Sequence, residues 1–330
     1  MLPTLTLLVG DMLLVVRAVH LLLVLFLTQP CATGYDLLSS MSSSISKATG
    51  SAFIARALSG GGGYGGGGGG AATGVVEDET TKRRFFFKSA GLLGFDMLRG
   101  EFESVKAIHE TRTIRVPAPI CLGQSESSSY VVFEYLPMGG AGDAKVYASK
   151  LASLHCCTSP TGQYGFHVNN TCGATFQRNT LTASWPEFWD VHRLGALMAL
   201  ARRDGAEFPF EDALRAKVRA VLEAHTSVRP VLCHGDLWSG NAGWTTSGEP
   251  CIFDPSSYYG DREVDIAMTK LFGSNSRSFY EEYDRELRPA PGWELRETIY
   301  NSYHILNHYC LFGGGYLQQF GNMAARILAA

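Results

Sequence analysis

His234-Gly235-Asp236-Leu237-Trp238-Ser239-Gly240-Asn241, followed by Asp254 at the end of Cys251-Ile252-Phe253, is the stretch that decides how this chain is read. An aspartate, four residues, an asparagine and a later aspartate form the spacing that phosphoryl transfer to a hydroxyl uses. The transferred group needs little covalent help, so the protein must mainly position a hydroxyl and neutralise charge. In this arrangement Asp236 accepts the proton of the acceptor hydroxyl. Asn241 supplies a neutral oxygen and Asp254 an anionic one, the hard ligands that Mg2+ takes beside waters and phosphate oxygens. Residues 242–245 and 250–253 read as short strands around the turn Thr246-Ser247-Gly248-Glu249. Pairing Thr245 with Pro250 sets Asn241 opposite Asp254, with Cβ atoms roughly 5 Å apart. Any strand-turn-strand can hold an Asn and an Asp, but that bland reading leaves the rest of the constellation unexplained.

Toward the N-terminus, residues 60–70 are ten glycines interrupted by Tyr64. A glycine-rich turn between two strands lets backbone amides approach a triphosphate; the same composition also describes a flexible linker, costly to order. Residues 71–76 and 83–88 read as the strands that follow. Lys88 closes the apolar run Phe85-Phe86-Phe87, the position of the lysine that holds the α and β phosphates; the alternative is a solubilising charge at a strand end. A helix over about 98–109 offers it Glu101 or Glu103 as partner. Two residues along a helix turn a side chain to the far face, so only one of them can serve. Residues 130–136 read as a buried strand running into a hinge, where backbone groups of Glu134, Tyr135 and Leu136 would meet adenine. The helix expected over 144–155 places Tyr147, Leu151 and Leu154 on one side, as core, with His155 structural.

The loop HGDLWSGN, with Asp254-Pro255-Ser256-Ser257-Tyr258-Tyr259-Gly260-Asp261-Arg262-Glu263-Val264-Asp265, resembles the fructosamine/ketosamine 3-kinase family, a branch of the aminoglycoside-phosphotransferase-like kinases. Trp238 is the discriminating letter. The resemblance runs from near Ile45 to the C-terminus and includes Glu134-Tyr135-Leu136-Pro137 and Leu306-Asn307-His308-Tyr309-Cys310-Leu311-Phe312-Gly313. It implies an α+β, bilobal, protein-kinase-like fold: a small β-rich N-lobe over 59–138 and a larger, mostly helical C-lobe over 139–330. It implies ATP and Mg2+ as cofactors and favours Glu101 as the partner of Lys88. It further implies phosphorylation of the third hydroxyl of a ketosamine, a ribulosamine or fructosamine on a protein amine, after which the sugar falls away. A sugar has hydroxyls and a weakly apolar face, so an aromatic platform such as Trp238 beside the base suits it. His308 borders the sugar site in resembling proteins; its bland reading is a satisfied core histidine on a helix over 300–312, beside Ile305 and Phe312. His234 is expected to brace the catalytic loop, and Asp265 to anchor the loop after the metal site.

Composition agrees with this reading. A chain of 330 residues is long enough for two lobes with separate cores. Formal net charge is −3 and no basic block exceeds Lys82-Arg83-Arg84, so nucleic acid is not an expected partner. The eight cysteines include no CxxC pair and no Cys/His spacing of a structural zinc site, and read as reduced core thiols.

Residues 1–34 read as a signal or targeting leader: an apolar core over 18–27 behind Arg17, then Pro30 and the small-residue site Ala32-Thr33-Gly34. Residues 35–58 are serine-rich, like a transit peptide, or are the first helix of the kinase. Together they suit an address into a plastid or other organelle, with no stable membrane span in the mature protein; the alternative is a cytoplasmic protein with a wrongly assigned start. For function, a small-molecule kinase of the aminoglycoside or choline type is the runner-up, opposed by Trp238. A silent nucleotide-binding module is third, opposed by the joint presence of Lys88, Asp236, Asn241 and Asp254.

Overall fold

The structure, a computed structural model, is described for residues 34–58 and 71–330. The leader and the glycine run 60–70, with the triphosphate contact expected of it, lie outside the described residues. The chain divides into two compact units, the first containing the residues up to Leu98 with Ile120–Phe133, the second Arg99–Pro119 with Glu134–Ala330.

The first unit is a five-stranded sheet with a helix against it. Its strands are β1 (Ala55–Ala57), β2 (Ala72–Asp78), β3 (Arg84–Gly91), β4 (Pro119–Gln124) and β5 (Ser128–Glu134), in the order β1-β2-β3-β5-β4. The helix α1 (Gly34–Thr49) forms from a serine-rich stretch because its serines find partners within the fold. Ser42 and Ser46 donate back to the carbonyls of Leu38 and Ser42, and the hydroxyls of Ser40 and Ser44 bond Tyr130. Leu37, Met41 and Ile45, four residues apart, fall on one face and pack with Phe53, Val76, Phe85, Tyr130 and Val132. Burying each such side chain contributes ~1.5–3 kcal/mol. The β2–β3 turn is built on Asp78, whose carboxylate accepts from the backbone N–H of Ile54, Thr80 and Thr81.

The second unit is mostly helical, with short two-stranded pieces that carry the functional loops. Helix α2 (Phe95–Thr111) leads into it, and α3 (Ala144–Leu154) buries Tyr147, Leu151 and Leu154 as its spacing requires. A hairpin follows, β6 (Asn170–Cys172) with β7 (Thr175–Gln177). Helix α4 (Trp185–Trp189) then widens into a π-helical turn, Asp190–Leu194, before α5 (Gly195–Arg203). The turn carries the buried Arg193, whose guanidinium donates to Arg178 O and Asn179 Oδ1 and stacks on Phe188 and Tyr258. Trp185 and Trp189 are wholly packed.

Helix α6 (Glu211–Glu223) precedes β8 (Val231–Cys233), which pairs antiparallel with β11 (Tyr258–Gly260). Between them lies the hairpin β9 (Ala242–Trp244) and β10 (Pro250–Ile252). The remaining helices are α7 (Glu263–Leu271), α8 (Arg277–Glu286), α9 (Trp293–Phe312) and α10 (Tyr316–Ala329). No helix among the described residues is long and apolar enough to cross a membrane.

The hairpin departs from expectation by one residue. Trp244, not Thr245, pairs with Pro250, and Phe253 N donates to Asn241 O at 3.0 Å. Asn241 therefore stands opposite Phe253 rather than Asp254. The turn is longer than four residues because the Thr245 hydroxyl and backbone close on Glu249, whose N–H donates to Thr245 Oγ1. Asp254 follows the strand in the left-handed region at φ +56°, so its side chain leaves the alternation of the strand.

Candidate active site

The loop that carries Asp236 leaves β8 at Cys233 and turns sharply at Gly235, φ +85°. A Cβ there would lie 2.2 Å from Ser256 O, so only glycine fits. Asp265, on the first turn of α7, holds the turn: its carboxylate accepts the N–H of His234 at 2.6 Å and of Gly235 at 2.8 Å. It also accepts from His155 Nε2 at 3.1 Å, whose Nδ1 bonds the Tyr283 hydroxyl. Burial would raise the Asp265 carboxyl, but the bonds from His155 and the loop amides hold it below the usual range. Asp265 thus clamps the catalytic loop itself, rather than the loop after Asp254, and His155 is structural.

His234 is buried and bonded at both ring nitrogens. Nε2 donates to Phe253 O at 2.9 Å and Nδ1 accepts from Asp236 N at 3.2 Å. Burial lowers its pKa, keeping the neutral ring that this pattern requires. One imidazole therefore ties the loop of Asp236 to the strand end that delivers Asp254.

The Asp236 side chain is 18% exposed at the end of this bracing. Asn241, at the close of a 3-10 turn over Ser239–Asn241, donates through Nδ2 to Asp236 O at 2.9 Å and to Oδ2 at 3.2 Å. Burial and the nearby Asp254 carboxylate push the Asp236 carboxyl up to about 7, opposed by the Asn241 bond. A carboxyl so raised is a stronger base than one at its ordinary pKa. Both side-chain bonds of Asn241 use its NH2, which leaves Oδ1 without a donor among the described residues. That oxygen and the Asp254 carboxylate are the donor chemistry that Mg2+ takes.

Trp238 is 38% exposed, with its ring folded over Gly240. The same loop is tied to the end of α7 by Ser239 Oγ donating to Phe272 O at 3.1 Å. The Phe272 ring lies 4.6 Å from that of His308, which also meets Phe312 and Tyr316. His308 Nδ1 donates to His304 O at 2.8 Å, and its ring is half-buried. The loop of Trp238 and the ring of His308 are thus linked through Ser239 and Phe272.

Two neighbours of Asp236 escaped the sequence reading. Cys172, at the end of β6, and His304, one turn before His308 on α9, bring their ligand atoms within 4.8 Å of each other and of the Asp236 carboxylate. Asn307 joins the two elements by donating to Cys172 O at 3.2 Å. The only signal for His304 was its place four residues before His308, on the same helical face; nothing local marks Cys172.

The residues expected from the sequence to meet the nucleotide are each placed within their own unit. Lys88 lies buried on β3, opposite Thr73 of β2, in the first unit. Glu101 lies on α2, in the second, where its rival Glu103 is engaged by His167 Nε2 at 3.1 Å. Glu134 ends β5 with its carboxylate taken by Arg115 and by the N–H of Ala118. Tyr135 and Leu136 follow it, half-buried, and Pro137 O accepts from Thr246 N at 2.8 Å.

A "probable ketoamine kinase" of Synechocystis is 45% identical over 236 residues, 71% of this chain and 79% of that protein. A chloroplastic protein-ribulosamine 3-kinase of Oryza sativa is 39% identical over 234 residues, 69% of this chain and 68% of that protein. The crystal structure of a "putative fructosamine-3-kinase" from Haemophilus somnus superposes with a TM-score of 0.79 at 24% identity, covering 88% of this chain and 97% of that one, and shares the α+β fold. The model of the fructosamine kinase family matches residues 40–330, which takes in all the loops described above. The chain belongs to the fructosamine kinase family.

Proposed function

We propose that the protein is an ATP- and Mg2+-dependent kinase that phosphorylates the third hydroxyl of ketosamines, ribulosamines or fructosamines, on glycated protein amines. The observation that carries this reading is Asp236: a carboxyl raised toward neutrality, braced by Asn241 and His234 on the loop that also carries Trp238. The names of the Synechocystis and rice relatives supply the acceptor class.

Asn241 and Asp254 would hold the Mg2+ that neutralises the charge of the γ-phosphoryl group supplied by bound ATP. Trp238 gives the sugar a flat apolar face to lie on and His308 offers Nε2 to a sugar hydroxyl. Asp236 accepts the proton of the third hydroxyl as that oxygen attacks. Lys88 would steady the α and β phosphates, and the backbone of Glu134, Tyr135 and Leu136 would receive adenine. The phosphorylated sugar then separates from the amine, so the protein substrate is freed of its adduct.

The rice relative is named as chloroplastic, and with the leader-like composition of residues 1–34 this supports a plastid address for the chain. N-terminal sequencing of the mature protein tests it.

The acceptor assignment is tested by ATP-dependent phosphorylation of a ribulosamine, a fructosamine and an aminoglycoside, wild type against Asp236→Asn. Ketosamine turnover that falls by ~10²–10⁴-fold in the variant is expected. Robust aminoglycoside turnover with silent ketosamines would replace the acceptor class.

A further inference from the structure

We propose that Cys172, Asp236 and His304 form a binding site for a borderline-soft divalent cation, Zn2+ above all, and that its occupation shuts the kinase off. The three residues come from β6, the catalytic loop and α9, and each offers one ligand atom, a thiol sulfur, a carboxylate oxygen and an imidazole nitrogen.

The imidazole is the independent sign of a ligand. His304 is only 3% exposed, and its Nδ1 has no hydrogen-bond partner among the described residues. That nitrogen points at Asp236, 4.0 Å from Oδ1. A buried ring nitrogen left without a partner is costly, and a cation between it and the carboxylate would satisfy both. Three atoms within 4.8 Å of one another fit a circle of about 2.8 Å radius (4.8/√3), against ~2.0–2.3 Å for zinc bound by N, O and S. Each ligand therefore has to move inward by at most about 0.8 Å.

The donor set selects the metal. Sulfur and imidazole suit zinc and its neighbours in the first transition row, whereas Mg2+ demands oxygens. The neighbouring pair Asn241 and Asp254 offers oxygens alone, so the two sites sort the two ions by softness. The Asp236 side chain is partly exposed, which gives the ion an entry path. Binding releases the Cys172 thiol proton, and any proton on the Asp236 carboxyl, to solvent and needs no other reactant. Because the carboxylate is then a ligand, it cannot take the acceptor proton. The inhibition rests on the proposed role of Asp236; the binding does not.

The test reads them separately. Co2+ added to the full protein in excess Mg2+ should give one equivalent of a thiolate-to-cobalt charge-transfer band, displaced by Zn2+. Cys172→Ser should abolish the band, and His304→Gln should weaken affinity by more than the ~10–100-fold that loss of an outer-shell partner costs. Thermal melts check that both variants fold. Micromolar Zn2+ should stop ketosamine turnover, with recovery on adding EDTA below the Mg2+ concentration, and Cys172→Ser should retain turnover in that zinc. No band, or a band that survives Cys172→Ser, overturns the site. A band in wild type with turnover undiminished by bound zinc overturns the shut-off and the role of Asp236 together, and leaves the site standing.

Discussion

Asp265 accepts the backbone N–H of Gly235 at 2.8 Å, from a buried position 30 residues along the chain. The bond fixes the one residue whose left-handed conformation lets the chain pass beneath Ser256 and present Asp236. Removing the acceptor leaves the amides of His234 and Gly235 buried and unpaired, at ~1–3 kcal/mol each. Asp265→Ala is expected to lower the melting temperature. A misplacement of about 1 Å at the reacting carboxylate costs ~10²-fold in kcat. Asp265→Asn retains one acceptor oxygen and should lie between wild type and Asp265→Ala in both measurements. Equal kcat in all three proteins would show that the clamp does not position the base.

Asn241 has two jobs in the proposed mechanism, and they separate by substitution. Its NH2 holds Asp236 and its Oδ1 is the neutral metal ligand. Asn241→Asp keeps an oxygen for the cation but loses the donor and sets a second carboxylate beside Asp236. Asn241→Ala loses both. Half-maximal activity should need more Mg2+ in Asn241→Ala than in wild type, while Asn241→Asp should bind Mg2+ well and still lose kcat by ~10²-fold or more. Mg2+ titrations of initial rate distinguish the two.

Trp238 is 38% exposed with its ring over Gly240, so its removal should act mainly on the acceptor. An aromatic platform contributes ~0.5–1.5 kcal/mol, or about 2- to 13-fold. Trp238→Ala is expected to raise KM for a ketosamine by that factor and to leave KM for ATP and the melting temperature within error. A fall in melting temperature with unchanged acceptor KM would make the indole a packing residue.

The loop of Asp236 was legible because its chemistry lies within eight residues and one later aspartate. The arrangement of Asn241 and Asp254 was legible in kind but not in register. A turn closed by the Thr245 hydroxyl and a left-handed Asp254 re-aim the second ligand, and neither leaves a mark in strand alternation. Asp265 was legible as an anchor, while what it anchors depends on how α7 packs under the loop. Cys172 and His304 stand 64 and 68 residues from Asp236 on either side, as their numbers show. The tertiary bond from Asn307 to Cys172 O joins their elements, and local pattern carries no trace of it. The serine-rich stretch read as a transit peptide or a first helix is a helix over Gly34–Thr49, decided by three apolar residues at a spacing of four and by hydroxyls that bond within the fold.

His304 links the site to pH. Burial, and then the neighbouring His308, lower its pKa to about 3 from an ordinary 6.5, so the folded protein keeps it neutral. The unfolded chain binds a proton there first. The stability linked to this residue is complete above pH 6.5 and is lost progressively as pH falls toward 3. His304→Gln, which cannot titrate, should flatten the decline of urea midpoint over that window. An identical decline in wild type and variant would assign the acid sensitivity to other groups.

Asp78 makes the same argument for the first unit, in a lower window. The N–H groups of Thr81 and Ile54 outweigh burial and hold its carboxyl at about 2, below its ordinary 3.8. The folded state therefore binds this proton later than the unfolded chain, so the contribution is complete above the unfolded value and disappears as pH falls through the folded one. Asp78→Asn turns an acceptor-only group into one whose NH2 meets backbone donors at the β2–β3 turn. The variant should be less stable than wild type at neutral pH, with lower hydrogen-exchange protection at Ile54 and Thr81, whose N–H groups Asp78 accepts. The gap in urea midpoint between the two proteins should close between pH 3.8 and 2, where the wild-type carboxylate becomes protonated. A gap that stays constant through that window would mean that the turn depends on the shape of the side chain and not on its charge.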